Sequence, residues 1–164
     1  MALIHQNLYQ SDSLARIDMR RYLEQLTEAI GHTFRHEATG VLLTVRVPQP
    51  VLLNTHTAVP LGLVVNELVT NALKYAFAEA GAVRPCISVE VHRAPDSSRL
   101  ELRVADNGIG LPELDVAQAH SLGLQLVAGL VQQMEATLHI ERQGGTQFRI
   151  WFQEQVPDTS SPAL

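Results

Sequence analysis

Two short stretches constrain this chain more than anything else in it. In residues 87–93 and 100–106, apolar and polar side chains alternate along most of each stretch, and Ala94-Pro95-Asp96-Ser97-Ser98 lies between them. A period of two marks a strand with one buried face, and a short polar connection between two such strands predicts an antiparallel hairpin. The buried face of a hairpin needs a covering layer, and helix-period segments on both sides supply candidates. Asp18 is placed to cap a helix in which Tyr22, Leu23, Leu26, Ala29 and Ile30 recur at three- and four-residue steps, with Gly31 or Gly40 at its exit. A long helix is expected over 57–79, with Pro60 near its first turn, and another from Ser121 to about residue 134. Further strands are expected at 41–47, 51–53, 137–141 and 147–152. Residues 1–10 read as a short helix broken by Ser11-Asp12-Ser13. The pattern predicts an α/β (α+β) two-layer sandwich: a mixed, mostly antiparallel sheet with about three helices on one face.

Composition narrows the class. A chain of 164 residues with 46% hydrophobic and 18% charged side chains fills one ordinary core. No run approaches the roughly 20 apolar residues of a membrane span, and the first residues carry no basic segment of a secretory signal. The single cysteine, Cys86, excludes an internal disulfide framework and a cysteine-based zinc cluster. A net charge of −5 argues against broad neutralisation of nucleic-acid phosphates. Of the 12 basic residues, only Lys74 is a lysine.

Four segments carry chemistry. On the long helix Glu67, Asn71 and Lys74 stand at i, i+4 and i+7, so an α-helix presents a carboxylate, an amide and an ammonium on one face. An amide oxygen suits Mg²⁺ that shares phosphate oxygens, and an ammonium neutralises them; a plain solvated face is the alternative. Asp106-Asn107-Gly108-Ile109-Gly110 follows the second hairpin strand. Its glycines allow a close backbone approach, and its aspartate is an acceptor for an exocyclic amine such as that of adenine; a simple turn is the alternative. Ser121-Leu122-Gly123-Leu124 leads into a helix N-terminus, which favours phosphate. Gly144-Gly145-Thr146 alone reads as a hairpin turn.

Taken in this order and spacing, the four segments resemble the ATP-binding catalytic domain of bacterial sensor histidine kinases. That domain belongs to the gyrase–histidine kinase ATPase superfamily with the Bergerat fold. Residues 66–77 resemble the N box, 106–111 the G1 box, 121–127 the G2 box and 144–148 the last glycine box. The resemblance implies ATP and Mg²⁺ as cofactors, with Asn71 as the metal ligand, Lys74 on phosphate, Asp106 on adenine and Thr146 beside it. It implies further nucleotide contacts from Tyr75, Gly108, Gly110, Ser121, Leu122, Gly123, Leu124 and Gly145, and catalytic roles for Glu67, Asn71 and Lys74. Residues 1–11 are similar to the end of the dimerisation region in the second HisKA-type family.

On this resemblance residues 1–17 are the end of a dimerisation helix and linker, 18–153 the catalytic domain and 154–164 a disordered tail. The implied reaction is transfer of the γ-phosphoryl group to a histidine on a dimerisation domain, in the cytoplasm, with a response regulator downstream. No contact with nucleic acid or membrane is expected of the domain. None of the seven histidines sits in the context of the family's phosphoacceptor. Residues 112–120 are expected to form a short lid. The alternatives are an ATPase or serine/threonine-directed kinase of the same superfamily, or a regulatory module that binds nucleotide without catalysis.

Overall fold

A computed structural model describes residues 15–78, 84–95, 97–111 and 121–156. The expected features at 1–10, the lid at 112–120 and the tail from 157 lie outside the described residues. The described elements are β1 (Ile17–Asp18), α1 (Met19–Thr33), β2 (Leu42–Arg46), β3 (Leu52–Leu53), α2 (Thr55–Asn71), a π-helical turn (Ala72–Ala76), β4 (Cys86–Arg93), β5 (Leu100–Asp106), α3 (Leu122–Gln133), β6 (Thr137–Glu141) and β7 (Thr146–Phe152).

The hairpin sits in the middle of the main sheet. β4 and β5 pair antiparallel with Val89 opposite Val104, and the strand order is β2-β4-β5-β7-β6. Only β2 and β4 run parallel, so the sheet is mixed and mostly antiparallel, as expected. A separate two-stranded ribbon joins β1 to β3. Alternation does what it must: Ile87, Val89, Val91, Leu102, Val104 and Ile150 are buried under the helices. On the other face Glu101 is 2% exposed. Its carboxylate accepts from Arg149 Nε at 2.6 Å and pairs with His92 Nε2 at 2.9 Å, with Arg103 at 3.3 Å. Burial pushes the Glu101 carboxyl up, but the hydrogen bonds and charges of Arg149 and Arg103 outweigh it and hold the pKa below the usual value.

Helix α1 starts at Asp18, whose carboxylate accepts from the N–H groups of Arg20 and Arg21. It runs through Gly31 to Thr33, so Gly31 is not its exit; Gly40, at φ 77°, turns the chain toward β2. Helix α2 starts two residues before the expected position because Asn54, not a later residue, caps it by accepting from Thr57 N–H at 3.0 Å. Pro60 therefore falls in the second turn and leaves the His56 carbonyl without its intrahelical donor. The helix packs against both α1 and α3 as well as the sheet. Ala58, Leu61, Val64, Val65, Leu68 and Val69 are buried in that position.

The approach of α1 to α2 depends on Gly62. A Cβ there would collide with the hydroxyl and ring of Tyr22. Alanine is the better helix former by about 0.5–1 kcal/mol, but overpacking costs about 1–3 kcal/mol. Gly62→Ala is expected to destabilise by about 1–2 kcal/mol, a fall of roughly 3–8 °C in a thermal melt. A rise in melting temperature would show that Tyr22 moves aside freely.

Residues 154 and 155, expected in a disordered tail, are instead bound to the domain. Glu154 accepts from Asn54 N–H at 2.9 Å and pairs with Arg16 at 2.5 Å. Gln155 N–H donates to Thr57 Oγ1 at 2.8 Å, and its side chain donates to the Met134 carbonyl at 2.9 Å. The domain boundary at 153 is thus too early: these residues supply partners for the start of α2 and the end of α3, which polarity alone could not reveal.

Candidate functional site

A cavity of about 340 Å³ opens between α2, the π-helical turn, the loop after β5 and the start of α3. Its lining is mainly apolar, from Leu68, Ala72, Ala76, Ile109, Leu111, Leu124 and Phe148, with Asn71, Tyr75, Asp106, Ser121 and Thr146 as the polar members. An apolar slot with a few fixed polar groups is the usual form of a small-molecule site.

Asp106 ends β5 inside this slot. One carboxylate oxygen accepts from Gly108 N–H at 2.9 Å, and the backbone of Thr146, opposite Asp106 on β7, favours the ionised form. Burial raises the Asp106 pKa above its ordinary value, and the two backbone groups offset only part of that. Thr146 is buried, and its hydroxyl oxygen accepts from Leu111 N–H at 2.9 Å, leaving the hydroxyl proton to donate elsewhere. Gly145, at φ 125°, lets the turn between β6 and β7 press on the Asp106 carbonyl, where any Cβ would clash.

The π-helical turn is tied to the same loop. Ile109 N–H donates to the Ala76 carbonyl at 2.9 Å, and Gly108 lies so close to Ala76 that a Cβ would collide with it. Asn107, read from sequence only as a turn residue, has a second task. Its side chain accepts from Cys86 N–H at 2.8 Å and donates to the Arg84 carbonyl at 3.1 Å, anchoring the loop to the start of β4.

At the other end of the cavity Ser121 caps α3, its hydroxyl accepting from Leu124 N–H at 3.3 Å. Glu67 and Asn71 stand against the first turn of α3: a Cβ built on Gly123 would lie 2.5 Å from Glu67 Oε2 and 3.7 Å from Asn71 Nδ2. Lys74 does not join them. Its Nζ stands 5.3 Å from the centre of the Phe34 ring, at the C-terminal end of α1. The α-helical register assumed in sequence breaks after Asn71, because the wider π-helical turn over 72–76, which contains Lys74, progressively shifts the side chains away from that register.

Thus Asn71, Tyr75, Asp106, Gly110, Ser121, Leu124 and Thr146 line the cavity as a group, whereas Glu67, Lys74, Gly108, Leu122, Gly123 and Gly145 do not face it directly. Leu122 is 84% exposed. The apolar wall from Leu68, Ala72, Ala76 and Phe148 is not singled out by the sequence. A flat purine needs such a wall, and only the fold shows which core residues border an opening.

Comparison with known proteins decides the family. The model of the histidine kinase-, DNA gyrase B- and HSP90-like ATPases matches residues 56–156, and a histidine kinase model of the second HisKA type matches residues 1–34. The chain belongs to the histidine kinase-, DNA gyrase B- and HSP90-like ATPase family.

Relatives of this ATPase-family domain are kinases of bacterial signalling. It is 35% identical over 136 residues to blue-light-activated histidine kinase 2 of Erythrobacter litoralis, covering 79% of this chain and 36% of that protein. It is 37% identical over 87 residues to the sensor histidine kinase PdtaS of Mycobacterium tuberculosis, covering 52% of this chain and 17% of that protein. The chain therefore spans about a third or less of the relatives it matches. Among solved structures, the Erythrobacter litoralis EL346 blue-light activated histidine kinase superposes with a TM-score of 0.73 at 30% identity, over 83% of this chain and 42% of that one. The Acinetobacter baumannii histidine kinase AdeS, at 19% identity and a TM-score of 0.64 over 87% of this chain and 68% of that one, shares the fold. The two-layer sandwich is that of histidine-kinase ATP-binding domains, and ATP is the ligand that the family binds.

Proposed function

We propose that this chain is the catalytic domain of a sensor histidine kinase and transfers the γ-phosphoryl group of ATP to a histidine on a dimerisation and phosphoacceptor domain. A response regulator takes the group onward, and the reaction runs in the cytoplasm, where ATP is abundant. The observation that carries this reading is the partly buried Asp106 carboxylate in an apolar cavity, in a chain of the ATPase family. A carboxylate accepts from the exocyclic amine of adenine, and the carbonyl of guanine at the same place would meet it with repulsion. The Thr146 hydroxyl proton is free for a ring nitrogen, Tyr75 borders the mouth, and Gly108, Gly110 and Gly145 hold the loops close.

The phosphates extend toward Ser121 and the N-terminus of α3, with Leu122 to Leu124 contributing backbone N–H groups. The Asn71 amide oxygen would hold Mg²⁺, an oxygen-seeking ion that commonly takes only one or two protein ligands beside substrate phosphate. Bound there, Mg²⁺ supplies neutralisation of phosphate charge. Lys74 swings from Phe34 to the phosphates. In the transfer, the bond from the γ-phosphorus to the acceptor imidazole nitrogen forms as the bond to the ADP oxygen breaks. The imidazole proton passes to the Glu67 carboxylate. No membrane or nucleic-acid contact is assigned to the domain, and no helix among the described residues is long and apolar enough to cross a membrane.

The test uses γ-labelled ATP and Mg²⁺ with this chain, with and without a supplied dimerisation domain of the second HisKA type. Acid-labile, base-stable label is expected on the supplied domain and none on this chain. Acid-stable label on serine or threonine would instead establish the alternative kinase chemistry, and release of phosphate without any transfer would establish an ATPase.

A further inference from the structure

We propose that Gly123 is a positioning residue for Glu67: the missing side chain at 123 is what admits the Glu67 carboxylate to the first turn of α3, beside Asn71. The two helices run antiparallel here. Gly123, at the start of α3, meets Glu67, whereas Met134 beyond its end and Thr57 at the start of α2 are joined through Gln155. At the crossing Glu67 Oε2 would be 2.5 Å from a Cβ on Gly123, well inside the contact distance of carbon and oxygen, and the Asn71 amide lies one helical turn further on. Gly123 itself is a helical glycine with negative φ, so its backbone does not require glycine; the space does.

The obstruction matters because the neighbour is a carboxylate whose position is functional. A methyl at 123 has two ways out. It can push α3 away, which the buried Leu124 and Val127 resist, or it can turn Glu67 off this spot. The second is the softer response, since Glu67 is the free end of a flexible side chain, and it withdraws the carboxylate from the amide of Asn71. The positive end of the α3 dipole also favours a negative group at this spot, so removing Glu67 from it forfeits an electrostatic contact. This inference rests on the reading of Glu67 as the group that takes the imidazole proton.

The test measures phosphoryl transfer to the supplied dimerisation domain by this chain and its variants. Gly123→Ala is expected to lower the rate at saturating ATP by about 10- to 100-fold, the scale of a misplaced general base. The ATP KM should stay within about threefold, since alanine keeps the backbone N–H offered to phosphate and the adenine contacts are elsewhere. Glu67→Asp alone also slows transfer, yet in combination with Gly123→Ala it withdraws the acid by one methylene, makes room for the methyl and recovers at least about tenfold over Gly123→Ala. Failure of that recovery, or a rise in KM that matches the loss in rate, overturns the proposal and leaves Gly123 with its backbone contact to phosphate alone. A melting-temperature cycle reads the steric link without activity. Gly123→Ala should lower the melting temperature when Glu67 is present and leave it unchanged or slightly raised in a Glu67→Ala background, where alanine's helix preference is unopposed; equal losses in both overturn the proposal. Glu67→Gln separates the two levels: undiminished transfer by that variant refutes the role of Glu67, while the melting cycle still decides whether Gly123 places it.

Discussion

Asp106→Asn is expected to weaken ATP binding by about 10- to 100-fold, the equivalent of roughly 1.5–3 kcal/mol for a hydrogen bond to a charged group. The amide is nearly the same size, so the cavity keeps its shape and the loss isolates the acceptor. The replaced group can also turn an N–H₂ toward a backbone donor, because Gly108 N–H points at this carboxylate. The preference for ATP over GTP should shrink in parallel. Calorimetry with both nucleotides checks this, and unchanged ATP affinity would remove Asp106 from adenine recognition. The same residue predicts a pH dependence. Adenine's amine requires the ionised acceptor, and burial holds the Asp106 pKa above its ordinary value. ATP affinity in the unsubstituted protein should therefore begin to fall on acidification at a pH above the usual aspartate range, and the fall should be absent from Asp106→Asn. The effect on stability runs the opposite way: a carboxyl raised by burial favours the folded state, with the contribution fully present below the unfolded-state pKa and lost as pH climbs through the raised folded-state pKa.

Asn71→Ala should abolish the Mg²⁺-dependent part of nucleotide affinity. In the presence of Mg²⁺ the variant is expected to bind ATP about 10- to 100-fold more weakly, since the proposed protein ligand of the ion is lost. Without Mg²⁺ the two proteins should differ little. Asn71 borders the cavity and is only half-buried, so its truncation opens no core void and the melting temperature should hold. Titrations with and without the ion make the comparison. An unfolded variant would show that Asn71 is a structural residue at the junction of α2 and the π-helical turn, and an equal loss in both conditions would take the metal from it.

How much was legible beforehand differs between elements. The hairpin was, because alternation over five or more residues leaves a strand only one way to bury its apolar side, and β4 and β5 pair as that pattern requires. The cap at Asp18 was legible for a similar local reason. The cap at Asn54 was not singled out, since its partners Glu154 and Gln155 come from the far end of the chain. Around the cavity, Asp106, Thr146 and Asn71 were identified through their motifs, and the structure brings them to one opening. The purine-facing wall was hidden because Leu68 and Ala72 look the same in sequence whether they border a core or a cavity. Asn107 was hidden too: the turn that it favours locally gives no hint of its bonds to Arg84 and Cys86.

By itself the sequence determined which faces are apolar, where the chain turns and which polar residues gather in four boxes, because periodicity and turn chemistry act over a few residues. Only the tertiary structure decided how those boxes meet. A π-helical turn, stabilised by a carbonyl that bonds to Ile109 in a different loop, takes Lys74 off the face of Glu67 and Asn71 and sets it on Phe34. A bare backbone at Gly123 lets Glu67 approach α3. Both outcomes depend on contacts between segments distant in sequence, and no local propensity encodes a distance of that kind.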